Sequence, residues 1–199
     1  GYGLPAINVV TSRVVGPLDG TPFEITAAAY AQLKNAFMAA RFWCYPYSGF
    51  NACGRHPITG GIGSIKGPMR VLAHSKPGTD EVDTELAAAY LRMFGGNSTK
   101  LFGKEIAPEN LNGFKAMNYA SSGTHTHGNS TAHIKGYGYG IRSHETYKDA
   151  NRYGRYLSHG TIQVFKNDLT HVSGNEINGW DWSRLPGATT LRVPLDILE

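Results

Sequence analysis

Near residue 100 the chain changes from one kind of periodicity to another, and few folds accommodate both. Before that point apolar residues recur at spacings of three and four. Thr21-Pro22-Phe23-Glu24 has the makings of a helix start, with Thr as cap, Pro at the first position and Glu closing a capping box. The spacing predicts a helix from there through an Ala-rich stretch to about Phe42, with Tyr30, Leu33, Phe37 and Ala40 on one face. A second helix is expected over residues 80–94, with Val82, Leu86, Tyr90 and Met93 as its apolar stripe. Asp80, Glu81 and Asp83 sit at its start, where the helix dipole favours negative charge, and Gly95-Gly96 ends it. A shorter helix is expected over residues 68–74. A loop rich in Gly, Pro and aromatics, residues 45–67, lies between the first helix and these.

From about Gly113 the sequence is Gly-rich and aromatic, with short alternating runs. Residues 133–137, 160–165 and 189–195 read as strands, and Asn167-Asp168 as a turn. Helices followed by strands imply an α+β chain of two domains, not an alternating parallel sheet. The junction is expected within residues 102–111, which include Pro108.

Hydrophobic residues make up 41% of the 199 residues and charged residues 17%, a balance that suits a folded chain and excludes a disordered one. No apolar run approaches the roughly 20 residues that a bilayer-spanning helix needs. The opening Gly1-Tyr2-Gly3-Leu4-Pro5 has neither the basic head nor the apolar stretch of a signal peptide, although a secreted protein could have lost one, and the missing initiator Met implies a processed or cut start. The net charge of +4 (19 Lys and Arg against 15 Asp and Glu) comes without a dense basic run. Ordinary solvated charge explains it better than a polyanionic partner, whether nucleic acid, a membrane surface or an acidic glycan. Cys44 and Cys53 are compatible with a disulfide outside the cytosol or with two buried thiols, and no metal-ligand pattern accompanies them.

Four segments have the composition of functional sites. In Cys53-Gly54-Arg55-His56-Pro57, Gly and Pro hold an Arg-His pair in a loop, and a guanidinium there can offer paired donors to a carboxylate or anchor its own loop. Residues 143–156 mix Glu145 with Arg152, Arg155 and three tyrosines, whose faces can stack on sugar rings. His125 and His127, two apart on an expected strand, share a face and could bind a metal, but a third ligand is not evident. Trp180 and Trp182, in a Gly/Pro setting, suit either a sugar platform or a packing corner.

In order along the chain, several segments resemble polysaccharide lyase family 8, especially its chondroitin ABC lyase branch. They are Gly1-Tyr2 with Leu4-Pro5-Ala6, Thr21-Pro22-Phe23, Gly54-Arg55-His56-Pro57, Glu145 followed by Asn151-Arg152-Tyr153-Gly154-Arg155-Tyr156, Ser158-His159-Gly160, and Gly179-Trp180-Asp181-Trp182 through Thr190. The resemblance implies the end of a helical (α/α) toroid over residues 1–104, then the start of an antiparallel β-sandwich domain over residues 105–199. It implies Tyr2, Arg55 and Glu145 as catalytic groups and His56, Arg152, Arg155, Trp180 and Trp182 as substrate contacts. Lys148 stands where the family often has Asn. The histidine that precedes the family's catalytic Tyr would fall before Gly1, so the 199 residues alone are expected to be inactive or feeble.

The implied reaction is β-elimination on uronic-acid-containing glycosaminoglycans: chondroitin or dermatan sulfate, or hyaluronan. The implied partners are the acidic polysaccharide and the rest of a parent polypeptide, with no nucleic acid and no membrane. No metal or organic cofactor is required, although divalent Ca or Mg can stimulate members of the family. Secretion, or export to a periplasm, follows from the substrate. A non-catalytic glycan-binding module, suited by Tyr137, Tyr139, Trp180 and Trp182, is the alternative. A glycoside hydrolase would need two facing carboxylates, and Glu145, Asp149 and Glu176 show no such pairing.

Overall fold

The computed structural model describes residues 3–42, 65–128, 130–136, 138–140 and 161–166, with positions 194 and 197. The described residues up to Asn110 form one compact unit and those from Leu111 onward another. The first is helical and the second is built on a sheet, as an α+β chain requires.

The helical unit consists of α1 (Gly3–Val10), a π-helical turn (Thr11–Val15), α2 (Gly16–Leu18), α3 (Ala27–Ala40), α4 (Lys66–His74), α5 (Thr84–Phe94) and α6 (Ser98–Phe102). The α1–α2 stretch and α6 were not expected from the sequence. In the π turn, Gly16 donates its N–H to the Thr11 carbonyl, and Thr11 and Val15 are buried. A Cβ on Gly16 would lie 2.9 Å from Val71 Cγ1, so glycine lets this turn approach α4 closer than any side chain allows.

Helix α3 begins later than expected. Its cap is Thr26, which accepts from Ala29 N at 3.2 Å. Thr21 serves the preceding helix instead: its hydroxyl donates to the Leu18 carbonyl at 2.6 Å, and Glu24 N closes a turn onto Thr21 O at 3.1 Å. A helix-end carbonyl, which also accepts the Thr21 N–H at 3.1 Å, therefore claims the hydroxyl that the capping pattern assigned to a new helix. Helix α5 likewise starts inside its expected span, with Asp83 as cap.

Both expected apolar stripes face the core. Phe37, Ile65, Met69, Leu72, Leu86 and Met93 are fully buried, Tyr30, Ala40 and Tyr90 nearly so, and Leu33 and Val82 pack against them. Tyr90 meets Phe102 edge-on with ring centroids 5.5 Å apart, and His74 stacks on the same ring at 5.5 Å. Among the described residues no helix is long and apolar enough to cross a membrane.

The second unit is a four-stranded antiparallel sheet in the order β1 (Gly113–Met117), β2 (Ser122–His127), β3 (Ser130–Lys135), β4 (Thr161–Lys166). A 3₁₀ turn, Asn118–Ala120, joins β1 to β2. Strands β3 and β4 fall close to the expected runs at 133–137 and 160–165. The expected strand at 189–195 and the Asn167-Asp168 turn lie outside the described residues, apart from Pro194.

The sheet reverses the usual alternation. Its buried positions are polar, namely Thr124, Thr126, Thr131, His133 and Lys135, whereas Phe114, Ile134 and Ile162 on the other face are exposed. The polar groups are tied to one another. Thr124 Oγ1 lies 2.8 Å from His133 Nδ1, Thr126 and Thr131 hydroxyls are 3.2 Å apart, and Lys135 Nζ donates to the Ala120 carbonyl. Such pairing offsets the cost of burying polar atoms.

Burial, with help from the positive Lys135, lowers the pKa of His133 to about 3. The folded state thus holds this imidazole neutral, whereas the unfolded chain protonates it near the ordinary value of 6.5. A depressed histidine contributes stability that is complete above pH 6.5 and is lost as pH falls towards 3. The sheet should lose up to about 1.4 kcal/mol per pH unit in that window. Hydrogen exchange of the β2 and β3 amides between pH 7 and 5 measures this. A His133→Gln variant should flatten the slope, and an unchanged slope would show that another group is responsible.

Candidate active site

The segments that carry the expected chemistry bracket the described framework. Tyr2, Arg55, His56, Glu145, Arg152, Arg155, Trp180 and Trp182 all lie outside the described residues, as do Cys44 and Cys53. The described residues show what supports the neighbouring chain. Helix α1 begins at Gly3, directly after Tyr2, and is anchored by its π turn against α4. Helix α4 in turn begins at Lys66, downstream of Arg55 and His56 in the sequence.

Within the helical unit, one polar cluster holds three elements together. Asp83 Oδ2 accepts from Tyr30 Oη at 2.9 Å and from Lys34 Nζ at 2.7 Å. Its Oδ1 accepts from Glu85 N and Leu86 N, both at 3.1 Å, and so caps α5. Asp83 N also donates to the Ala73 carbonyl at 2.8 Å, and Lys34 makes a second ion pair with Glu85 at 2.8 Å. Helix α3, the end of α4 and the start of α5 therefore meet at one residue, Asp83, through its carboxylate for α3 and α5 and its backbone amide for α4.

The protonation states follow from those contacts. Burial opposes the charge on Asp83, but donors from Lys34, the Leu86 backbone and Tyr30 outweigh it and lower the pKa below the ordinary carboxylate value. Burial opposes the charge on Lys34 too, and Asp83 and Glu85 outweigh it, leaving the ammonium harder to deprotonate. For Tyr30, burial and then the hydrogen bond to Asp83 act together and push the phenol far above its ordinary value. A phenol so shifted stays protonated near neutral pH and is a poor proton donor, which suits Tyr30 to a structural anchor.

A second link joins the end of α3 to the chain after α6. Arg41 Nε donates to Glu109 Oε1 at 2.7 Å and Arg41 Nη1 to the Met38 carbonyl at 2.5 Å, while Glu109 N bonds the Ala88 carbonyl at 3.0 Å. Sequence reasoning missed both arrangements. Tyr30 and Lys34 stand four apart, the spacing that puts two side chains on one helix face, but only the apolar half of that signal was read. Nothing in the sequence joins Arg41 to Glu109.

His125 and His127 do lie on a strand and on one face, as expected. Among the described residues no group of three or more His, Cys, Asp or Glu is placed to hold a metal.

Known proteins place these elements in a family. A family model described as "Lyase, catalytic" matches residues 1–100. The chain is similar to the chondroitin sulfate ABC endolyase of Proteus vulgaris, with 34% identity over 204 residues that cover 100% of this chain and 20% of the relative. A chondroitin sulfate ABC exolyase of the same organism is 33% identical, covering 92% of this chain and 19% of the relative. The chain thus spans about a fifth of the length of these curated relatives. Among solved structures, a Paenibacillus xanthan lyase superposes with a TM-score of 0.75 at 14% identity, over 96% of this chain and 21% of that one, a likeness of fold. The resemblance first carried by the Arg-Tyr-Gly-Arg-Tyr and Gly-Trp-Asp-Trp segments therefore holds, and the chain belongs to the catalytic-lyase family as a chondroitin ABC lyase-like region.

Proposed function

We propose that this chain is part of a polysaccharide lyase that cleaves uronic-acid-containing glycosaminoglycans by β-elimination, leaving an unsaturated uronate end. The observation that carries this reading is the 34% identity to a chondroitin sulfate ABC endolyase across the whole chain. In the same proposal, residues 1–104 are the closing part of an (α/α) toroid and residues 105–199 the opening part of a β-sandwich domain. Phe114, Ile134 and Ile162, exposed on one sheet face, support the sandwich, because an apolar sheet face calls for a second layer. The enzyme is exported, since its substrate lies outside cells.

The chemistry explains why Tyr2, Arg55 and Glu145 are the groups to test. The proton at C5 of a uronate is barely acidic while the adjacent carboxylate is charged, because removing it adds a second charge. Cations or strong donors at the carboxylate must stabilise the developing enolate. Tyr2 gives a proton to the departing O4 and, on some uronate epimers, also takes the C5 proton. A phenol's ordinary pKa of about 10 is too high for that second task, and the guanidinium of Arg55 would lower it. Glu145 orients Arg55 or Tyr2 by a charged hydrogen bond. His56, Arg152, Arg155, Trp180 and Trp182 contact the polymer. No metal enters this scheme, and any response to Ca or Mg would be accessory.

The test is incubation of the longer polypeptide with chondroitin sulfate, dermatan sulfate and hyaluronan, followed in the near ultraviolet. The expected result is growth of the unsaturated-uronate absorbance on at least one polymer. Chain shortening without that absorbance would indicate hydrolysis, and binding without shortening would indicate a glycan-binding module.

A further inference from the structure

The sequence has no dense basic run, but a helix can assemble one from residues four apart. Helix α4 does so. Lys66, Arg70 and His74 are exposed along one side of it and span about 12 Å of its axis. Its other side, Pro68, Met69, Leu72 and Ala73, is buried in the core. Gly67 and the half-buried Val71 complete the outward arc. Residues 66–79 contain no Asp or Glu.

Elsewhere in this unit Lys34 and Arg41 meet carboxylates. Among the described residues, Lys66, Arg70 and His74 form no ion pair with one. Lys66 Nζ lies 5.9 Å from the centre of the Phe94 ring. The Nε2 of His74 lies 2.9 Å from the Leu101 carbonyl, and its ring stacks on Phe102. Both ends of the row are thus placed by uncharged neighbours, which leave its charge uncompensated. Lys66 and Arg70, one turn apart, repel each other, and an anion lying across them relieves that repulsion.

This arc differs from the apolar sheet face, which calls for a second layer. Its one large apolar side chain, Val71, already faces the π turn at Gly16. A covering helix would gain little apolar burial here and would have to desolvate two cations.

We propose that the α4 row is a docking track for the sulfate and carboxylate groups of a sulfated uronate polymer. This rests on the glycosaminoglycan reading above and assigns α4 a share in holding that substrate. Nucleic acid fits less well. A single strand needs exposed aromatic rings on which its bases stack, whereas Phe94 is half-buried and Phe102 buried. The attraction is between exposed charges, so salt screens it.

The experiment is fluorescence titration of labelled chondroitin sulfate with the longer polypeptide, carrying Tyr2→Phe to keep the polymer intact. At low salt Lys66→Gln with Arg70→Gln should weaken binding about tenfold, and the difference should fade at high salt. Gly67→Glu is the sharper probe. A Cβ there meets nothing within 4 Å, and an acid suits the first turn of a helix, so the variant should fold. It should nevertheless bind about threefold more weakly, or worse, whereas Gly67→Ala should bind as its parent does. Unchanged affinity in both charge variants, shown folded by circular dichroism, would overturn the track, as would an equal loss in Gly67→Ala. A larger loss on a single-stranded oligonucleotide than on chondroitin sulfate would overturn the choice of partner. The near-ultraviolet assay of the unsubstituted polypeptide judges the lyase reading separately: absorbance growth with unchanged binding in the variants removes only the track, and weakened binding in the variants without absorbance growth removes only the lyase.

Discussion

Replacing Tyr2 with Phe in the longer polypeptide is expected to lower kcat by about 10²–10⁴-fold, the usual contribution of a positioned general acid or base. The substitution removes one hydroxyl and keeps the ring, so substrate contacts made by the ring face survive. Affinity for an uncleaved oligosaccharide should change little, and the loss should sit in kcat and in kcat/KM equally, which marks an interaction made in the transition state. If Tyr2 protonates the leaving O4, replacing that oxygen with a good leaving group that needs no proton should restore much of the rate. Full turnover by the Tyr2→Phe enzyme would end the assignment. A parallel loss of affinity and rate would place Tyr2 in substrate binding instead.

The Asp83→Ala variant should show the largest loss of stability, about 2–4 kcal/mol, because it leaves the buried Tyr30 hydroxyl without its acceptor and removes a helix cap together. Tyr30 Oη depends on Asp83 Oδ2, Lys34 Nζ is left with Glu85 alone, and the first amides of α5 depend on Oδ1. Asp83→Asn keeps an oxygen for the cap and should cost about half as much.

The pH dependence of stability provides a second readout. Asp83 has a folded pKa below its ordinary 3.8, so its contribution is present above that pH and is lost as pH falls through the depressed value. Lys34 and Tyr30 have raised pKa values. Their contributions are complete below the ordinary 10.5 and 10.0, and are lost as pH rises further. Denaturant midpoints of wild type and variant should therefore converge below pH 4 and above pH 10. A cost below 1 kcal/mol at neutral pH, or parallel pH profiles, would show that the cluster does not anchor the unit.

How far the sequence could be read depended on how local each signal was. The stripes Tyr30, Leu33, Phe37, Ala40 and Val82, Leu86, Tyr90, Met93 were legible because helix periodicity depends on neighbours three and four apart. The α1–α2 stretch was not, since its π turn breaks the 3.6-residue repeat. Strand β1 was hidden for another reason: all of its residues are exposed or half-buried. Strand β2 was legible only from the spacing of His125 and His127, because its buried face is Thr124 and Thr126, where a search for alternating apolar residues finds little, and only pairing across to Thr131 and His133 makes that burial tolerable. For the candidate site, the named motifs pointed to the family, but the bond network around Asp83 joins residues 30, 34, 73 and 83 and has no compact signature.

The sequence by itself determined the division into a helical and a β-rich half, the two apolar stripes of the helical core, and membership in the lyase family through short ordered motifs. These rest on local periodicity and on residue identity, which a linear chain displays. Only the tertiary structure decided where α3 begins, which residue gathers three helices, and which histidines are buried and which open to solvent. Thr21 and Thr26 are equally good caps in isolation, and His125 and His133 are the same residue type on adjacent strands. What separates them is which helix-end carbonyl lies within reach and which face of the sheet is shielded from water, and both are fixed only once the chain is folded.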